Sequence, residues 1–268
     1  MSLKYNEQGQ KIIEIIDYIR KYGFSVFPYE FVQKYRNTII DVFYDESNNM
    51  YYVMYENKRL YYPYGYSVGG IKAHYNWLNI EQDEGSPHRY ETEDYSVEDG
   101  DAIADIGAAE GIWALHNIEK ASKVYLFERN PSWIKALEKT FEPWKEKIII
   151  VNKFVSNKND KKNVTLDSCF KGERINFIKA DIEGMETKML EGSNNFFKNN
   201  GDLKLLLCTY HREGDAEKIR GYFENNGFVI EYSKGCILYD IDVNIKEPYI
   251  RRGLIRAKNK TANVHAGD

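Results

Sequence analysis

Five short apolar runs within residues 102–209, separated by helix-like stretches, constrain the fold of this chain most strongly. The runs are Ala102–Ile106, Lys123–Phe127, Lys147–Asn152, Ile175–Ala180 and Leu203–Thr209. Each has the length of a strand, and strands that alternate with helices are typical of a parallel sheet covered by helices. The sequence therefore predicts an α/β fold for this part of the chain.

Two further strand-like runs follow, Phe228–Tyr232 and Cys236–Asp240, separated by a turn at residues 233–235. They predict a closing hairpin that contains an antiparallel strand. Such an ending is unusual for a dinucleotide-binding dehydrogenase and is similar to the sheet of class I methyltransferases. The expected fold class is thus a Rossmann-like class I methyltransferase sheet of seven strands, the last of them antiparallel.

The first third of the chain has a different texture. Isoleucines at positions 12, 15, 16 and 19 share one helical face, and the aromatic, β-branched runs between Ile39 and Tyr62 predict a small antiparallel meander. Many of the 22 tyrosines lie here. They either line a substrate cleft or form an ordinary half-buried sheet face, and the pattern alone leaves both readings open.

Composition limits the classes of partner and compartment. The 268 residues include 37 Lys and Arg against 41 Asp and Glu. The resulting formal charge of -4 provides no overall electrostatic attraction to nucleic acid or to an acidic membrane. The three cysteines, at positions 169, 208 and 236, have neither the spacing of a zinc ribbon nor an even count for disulfides. The polar first ten residues lack the apolar segment of a signal peptide, and a cytoplasmic protein is expected.

A glycine loop follows the first predicted strand, in the sequence Asp105-Ile106-Gly107-Ala108-Ala109-Glu110-Gly111. Small residues let a loop approach a ligand closely, and the helix beyond offers free N–H groups. An acid at position 105 would repel a pyrophosphate but suits the ammonium of an amino acid. The loop, including Ala108, Ala109 and Glu110, therefore predicts binding of S-adenosylmethionine rather than of a nicotinamide dinucleotide.

The adenosine end of the same cofactor has its own candidates. Glu128 closes the second predicted strand, where a carboxylate can accept hydrogen bonds from both ribose hydroxyls. We expect Arg129, Phe154 and Val155 to lie near the adenine. The alternative for Glu128 is an ordinary solvated loop acid.

Four ionisable residues surround the end of the fourth predicted strand, in Lys179-Ala180-Asp181-Ile182-Glu183-Gly184-Met185-Glu186. Here the chain resembles the FkbM-type methyltransferases, whose pattern is matched by Lys179, Asp181, Glu183, Gly184 and Glu186. The resemblance covers residues 86 to 240. The segments at residues 86–90 and 249–254 look like features of a bacterial subgroup. The family implies methylation by S-adenosylmethionine, mostly of hydroxyl oxygens on sugars or natural products.

Methyl transfer to a hydroxyl needs alignment and a group that takes one proton. Asp181 is the first candidate for this base, with Glu183 and His211 beside it, and the alternative for these acids is helix capping. Magnesium held by Asp181 and Glu183 is a minority alternative, so no metal is expected. His88 and Tyr90 are expected near the methionine end of the cofactor.

We accordingly divide the chain into an N-terminal helical and β-hairpin cap (residues 1–92), an S-adenosylmethionine-binding methyltransferase domain (93–245) and a basic tail (246–268). Arginines at positions 251, 252 and 256 would either contact phosphates of a nucleotide-linked acceptor or lie on a solvated terminal helix. The expected partner is a small-molecule acceptor, with no nucleic acid and no membrane. Two rivals stay open, a nicotinamide-dependent oxidoreductase and a non-catalytic cofactor-binding module.

Overall fold

The computed structural model describes residues 2–239, 247 and 249–259. Its helices are α1 (Ser2–Tyr22), α2 (Val68–Glu81), α3 (Ile112–Asn117), α4 (Pro131–Thr140), α5 (Leu166–Cys169), α6 (Glu186–Glu191), α7 (Asn194–Asn199) and α8 (Asp215–Asn225). Its strands are β1 (Phe43–Asp45), β2 (Met50–Tyr55), β3 (Lys58–Tyr61), β4 (Ala102–Ile106), β5 (Lys123–Phe127), β6 (Ile148–Val151), β7 (Phe154–Val155), β8 (Asn163–Val164), β9 (Phe177–Ala180), β10 (Lys204–Cys208), β11 (Phe228–Tyr232), β12 (Ile237–Leu238), β13 (Ile250–Arg251) and β14 (Leu254–Asn259).

The main sheet has seven strands in the order β11-β14-β10-β9-β4-β5-β6. Only β14, the last in the chain, runs antiparallel to its neighbours, so the predicted fold class is confirmed. The chain order turns back between β4 and β9, and ligands of open α/β sheets bind outside the carboxyl ends of the strands at such a point. Ile106 pairs with Ala180 there, which brings the loops after β4 and β9 side by side.

The predicted closing hairpin is wrong. β12 pairs with β13 in a separate two-stranded sheet, whereas β11 pairs with β14, with Phe228 opposite Asn259. The domain boundary at residue 245 therefore cuts off the seventh strand, and residues 250–259 are not a tail. The sequence hid this strand because Arg256 and Lys258 interrupt its apolar pattern. The predicted end of the hairpin at Asp240 and the tail beyond residue 259 lie outside the described residues.

The N-terminal meander is confirmed as the antiparallel sheet β1-β2-β3, although its first strand begins at Phe43 and not at Ile39. It is not a separate body. The backbone N–H of Tyr61 donates to the Thr140 hydroxyl on α4, at 3.0 Å. Leu60 and Ile71 share one apolar core with Ile103 of the main sheet. Together with α2, the meander thus packs directly on α4 and the main sheet.

Alternating side chains of the main sheet fill two cores. Leu206 belongs to the core beneath the meander and α2, while Leu205 and Leu207 belong to the core beneath α5–α8. All three are fully buried, as expected for strands covered on both faces. In the described part of the chain, no helix is both long and apolar enough to cross a membrane.

Candidate active site

The loop after β4 approaches β9 so closely that only glycine fits at its first turn. Gly107 has a φ of 76°, and a Cβ there would lie 2.0 Å from the carbonyl oxygen of Asp181. At Gly111, with a φ of 77°, a Cβ would lie 2.7 Å from Leu137. The two glycines therefore fix the loop against the end of β9 on one side and against α4 on the other.

Glu128 closes this loop from the neighbouring strand. Its Oε2 accepts a hydrogen bond from the backbone N–H of Ala109 at 2.9 Å, and its Oε1 accepts from the N–H groups of Arg129 and Asn130, both at 2.6 Å. The N–H groups of Gly107 and Ala108 donate to the Phe127 carbonyl. The half-buried carboxylate thus lies where the sequence placed it, beside the turn of the glycine loop.

The predicted adenine residues separate into two kinds. The Phe154 ring is exposed, and the Arg129 guanidinium lies 5.7 Å from its centre while donating to the Asn152 side chain. Val155 is buried in the core beneath α5, so only its backbone can reach a ligand. Phe154 and Arg129 are therefore the side chains that can face an adenine.

Asp105 does not offer a free charge. Its Oδ1 lies 3.0 Å from the Nζ of Lys179, which also donates to the Gly107 carbonyl at 2.9 Å, and both side chains are buried. Burial raises the pKa of Asp105, although the Lys179 charge opposes that rise. The sequence predicted that Asp105 pairs with the ammonium of a ligand, but in the structure it pairs with Lys179. Of the two carboxylate oxygens of Asp105, Oδ2 has no hydrogen-bond partner among the described residues.

Asp181 is the centre of the site. Its Oδ2 accepts from the Tyr90 hydroxyl at 3.0 Å and lies 3.6 Å from the Nε2 of His88, and its Oδ1 lies 3.3 Å from the Nε2 of His211. Burial acts to raise the pKa of Asp181, but His88, Lys179 and His211 together hold it well below its usual range. The carboxylate is therefore a stabilised anion, with 20% of its side chain exposed to the cleft.

His211 lies between carboxylates. Its Nδ1 is 3.1 Å from Glu186 Oε1, and its Nε2 is 3.3 Å from Asp181 and 3.6 Å from Glu183. Burial lowers the pKa of His211, but Glu186, Asp181 and Glu183 outweigh it, so the pKa lies above its ordinary value. Glu183 is 87% exposed with a φ of 54°, so it lies at the rim of the cleft.

His88 and Tyr90 come to Asp181 rather than to the glycine loop. His88 is buried, with its Nε2 3.1 Å from the Tyr210 hydroxyl and 3.7 Å from the Cys208 Sγ. Burial lowers the pKa of His88, but Glu81 and Asp181 raise it above its ordinary value. The sequence grouped both residues with the cofactor; the structure places them in the hydrogen-bond network of the candidate base.

The side chain of Glu110 points away from the rest of the glycine loop and towards α2. Its Oε2 lies 3.9 Å from the Nε2 of His74 on α2, and burial raises its pKa to about 8. His74 in turn contacts the Tyr62 hydroxyl at 3.1 Å, so some of the first third's aromatics do reach the edge of the cofactor loop. Nothing near His74 in the chain indicates a role for it, so sequence reasoning alone misses this contact.

Two arginines that the sequence assigned to a tail donate hydrogen bonds to backbone carbonyls beside the site. Arg251 donates to the carbonyl oxygens of Tyr210 and His211, at 2.6 and 3.0 Å. Arg256 donates to the carbonyls of Arg89 and Tyr90, at 2.6 and 2.9 Å. Both arginines are buried, so they position backbone and do not present charge to a phosphate.

Two groups of side chains have the spacing of metal ligands. They are Asp181, Glu186 and His211, and His88, Asp181 and Cys208, whose ligand atoms lie within 4.8 Å of one another in each group. In both groups the donor atoms already contact one another. These are the residues that could hold a cation, should one bind.

The residues suit S-adenosylmethionine. Gly107 and Gly111 allow close backbone approach, and Glu128 keeps acceptor capacity on Oε2, which accepts only one N–H, for a ribose hydroxyl. Two buried polar atoms of the described chain lack partners here, Asp105 Oδ2 and Arg129 Nε.

Comparison with known proteins identifies a methyltransferase domain in part of the chain. Residues 144–230 match the model of the methyltransferase FkbM domain, while no curated protein matches the chain. The methyltransferase FkbM of Methylobacillus flagellatus KT is similar in structure, with a TM-score of 0.50 and 16% identity over 69% of this chain. This chain spans half of that protein.

Two other solved structures match with lower TM-scores. They are a precorrin-6y C5,15-methyltransferase from Geobacter metallireducens GS-15 (0.41; 13% identity; 62% of this chain, 84% of that one) and an rRNA methylase from Streptococcus thermophilus (0.42; 14%; 61% and 89%). The likeness to the Methylobacillus protein supports the fold, and the family match supports the class and its cofactor. Residues 144–230 therefore match the FkbM domain of methyltransferases within a Rossmann-like fold, and S-adenosylmethionine is the cofactor that this match implies.

Proposed function

We propose that this protein transfers a methyl group from S-adenosylmethionine to a hydroxyl oxygen of a sugar or natural-product acceptor. One observation carries the proposal. Asp181 has a partly buried carboxylate that accepts from Tyr90 and lies beside His211, and its backbone carbonyl packs directly against the turn at Gly107. A proton acceptor thus stands beside the loop that holds the cofactor.

The chain's own residues hold the cofactor in three places. The turn at Gly107 to Gly111 lets the backbone approach closely, Glu128 accepts from the ribose, and Phe154 with Arg129 faces the adenine. Bound S-adenosylmethionine supplies an electrophilic methyl group. The role of these residues is to hold that group in line with the acceptor oxygen.

The acceptor hydroxyl must lose one proton, and the pair of Asp181 and His211 receives it. Asp181 alone is a weak base because its neighbours depress its pKa. His211 has a raised pKa and, once it has released its own proton, binds another more firmly. The Nε2 of His211 and the Oδ1 of Asp181 are 3.3 Å apart, so either can take the proton and share it with the other.

A small neutral acceptor is favoured over a nucleic acid. The chain carries a formal charge of -4, and two of the three arginines first considered for phosphate contact are buried on backbone carbonyls. The cleft around Asp181 is rich in carboxylates and tyrosine hydroxyls, which can hydrogen-bond to a polyol. A nucleotide-linked acceptor loses its main support with Arg251 and Arg256.

Calorimetry tests the cofactor half of the proposal. S-adenosylhomocysteine should bind in the micromolar range, whereas NAD and ATP should give no heat, because the acid at position 105 and the G-x-x-x-G spacing of the loop suit an aminoacyl group better than a pyrophosphate. Equal heats for NAD and S-adenosylhomocysteine would reject the assignment. The acceptor half needs incubation with methyl-labelled S-adenosylmethionine and a panel of glycosides and polyketides. Label found on nitrogen or on RNA, and never on a hydroxyl oxygen, would reject O-methylation.

A further inference from the structure

Glu186 is the last acid of the family pattern that follows β9, and it lies at the first position of α6, where an acid can also cap the helix. Its side chain is completely buried, and its Oε1 accepts from the Ile182 N–H at 3.0 Å while lying 3.1 Å from the Nδ1 of His211. No described residue partners its Oε2. A buried carboxylate with so few donors depends strongly on each one, since a buried acceptor that has lost its contact with water is destabilised when it has no hydrogen-bond partner.

Asp181 faces the other nitrogen of the His211 ring, and its carboxylate has more donors and more exposure than that of Glu186. It accepts from the Tyr90 hydroxyl and lies near His88, and part of its side chain reaches the cleft. When His211 carries a single proton, the two carboxylates compete for it. Glu186 has the greater need, because Asp181 keeps other donors and contact with solvent.

We infer that Glu186 is a positioning residue that holds the remaining proton of His211 on Nδ1, so that Nε2 is left free to take a proton at Asp181 and the cleft. The inference rests on the proposed function, in which His211 shares the acceptor proton. Arg251 fixes the same residue from its other side by donating to the His211 carbonyl at 3.0 Å. His211 is thus held at its backbone carbonyl by Arg251 and at its ring Nδ1 by Glu186.

Several groups surround His211 and contribute to its titration. They are Asp181, Glu183 and Glu186, with His88 beyond Asp181 and the rings of Tyr210 and Tyr239 alongside. Only Glu186 contacts Nδ1 at hydrogen-bonding distance among the described residues. Loss of the Glu186 carboxylate should therefore move the proton to Nε2, whereas loss of the competing Asp181 carboxylate should leave it on Nδ1.

The test is nitrogen NMR of the whole chain labelled with ¹⁵N-histidine, without any acceptor. The sequence has five histidines, and the His211→Gln variant identifies the His211 signals. In wild-type protein above its titration range, His211 should carry its proton on Nδ1. In Glu186→Gln the proton should move to Nε2, and the midpoint should fall by about 1–3 pH units, the usual effect of one close opposite charge.

Two further variants control the experiment. Glu191→Gln removes a half-exposed carboxylate from the same helix, where it pairs with Lys188, and should change neither the tautomer nor the midpoint. Glu186→Asp keeps the charge and should titrate closer to wild type than Glu186→Gln. Lower thermal stability of Glu186→Gln with unchanged titration would show a purely structural role and overturn the inference.

The inference stays testable if Glu186→Gln fails to fold, because a proton on Nε2 in the wild-type protein would overturn it alone. Calorimetry with S-adenosylhomocysteine on the same sample separates the two proposals. Failure of wild-type protein to bind S-adenosylhomocysteine would reject the proposed function and leave the tautomer result standing. Binding together with an Nε2-protonated His211 would reject only the role of Glu186.

Discussion

The hydroxyl of Tyr90 donates to the carboxylate of Asp181 at 3.0 Å, although the two residues lie 91 positions apart in the chain. Tyr90 precedes the main sheet, and Asp181 follows its central strand β9. The contact exists because Arg256, on the last strand, donates to the backbone carbonyls of Arg89 and Tyr90. The first and last parts of the described chain therefore meet at the candidate base.

Glu128 should be a principal binding determinant for S-adenosylhomocysteine. Replacement by Ala removes the acceptor for the ribose hydroxyls and for the Ala109 N–H, and should weaken binding by about 1–3 kcal/mol. Calorimetry measures this. Glu138→Ala, an exposed acid on α4, is the control and should bind normally. Unchanged affinity in Glu128→Ala would mean that the ribose is held elsewhere.

Gly107 should tolerate no side chain. Gly107→Ala places a Cβ 2.0 Å from the Asp181 carbonyl, whereas Gly172→Ala has a similar φ of 81° with nothing within 4 Å. Both variants carry the left-handed backbone cost of about 1–2 kcal/mol. Only Gly107→Ala should lose a further 1–3 kcal/mol or so from overpacking, together with S-adenosylhomocysteine binding. Urea unfolding compares the two, and equal losses would contradict the close approach.

The strands β4, β5, β9 and β10 and the glycine loop are predictable from sequence because local pattern decides them. Leu205 to Leu207 form a continuous aliphatic run, which is typical of a strand buried on both faces. Likewise, an acid, two glycines and a following helix mark the ligand loop. No distant contact is needed to recognise either feature.

The seventh strand and the surroundings of Asp181 are not predictable in this way. Arg256 looks like a tail residue until Glu231 and two backbone carbonyls are placed around its guanidinium. Asp105 looks like a ligand contact until β4 and β9 pair and put Lys179 opposite it. Helix α2 is hidden because glycines occupy its first turn, and only the Ser67 cap marks its start. Tertiary partners decide the first two cases, whereas α2 is obscured by its own local sequence.

Arg256 should stabilise the fold and not bind phosphate. Arg256→Ala removes the donors to two carbonyls, each worth about 1–3 kcal/mol when left buried and unpaired. Arg252→Ala changes an exposed arginine of the same segment and should cost far less. Thermal unfolding measures both. If Arg256→Ala is as stable as Arg252→Ala, the hydrogen bonds from Arg256 to the carbonyls of residues 89 and 90 contribute nothing to the stability of the fold.

Glu110 should make stability depend on pH. Burial raises its pKa from 4.5 to about 8, so the folded state binds this proton more tightly than the unfolded state. Its contribution to stability is complete below pH 4.5 and is lost as pH rises towards 8. Glu110→Gln should flatten that decline, and Glu138→Gln should not. Urea unfolding from pH 5 to 9 checks this, and parallel curves for wild type and Glu110→Gln would refute it.

The roles of Asp181 and His211 can be separated with any acceptor that the methylation panel yields. Asp181→Asn keeps the size and most hydrogen bonds but takes up no proton. It should lower the methyl-transfer rate about 10²–10⁴-fold while affinity for S-adenosylhomocysteine changes much less. His211→Gln should be milder if Asp181 is the base, and the severities should exchange if His211 is. Full activity in both variants would show that alignment alone drives transfer.

The pH dependence of the rate then identifies which group must be free of its proton. Because neighbouring carboxylates raise the pKa of His211, a rate limited by that residue should increase as pH rises through a midpoint above its ordinary value of 6.5. The depressed pKa of Asp181 predicts instead a rate that is flat across the neutral range. Chelation by EDTA should leave the rate unchanged in either case. Loss of activity in EDTA with rescue by magnesium would make Asp181 a metal ligand, and the proton-transfer roles would have to be reassigned.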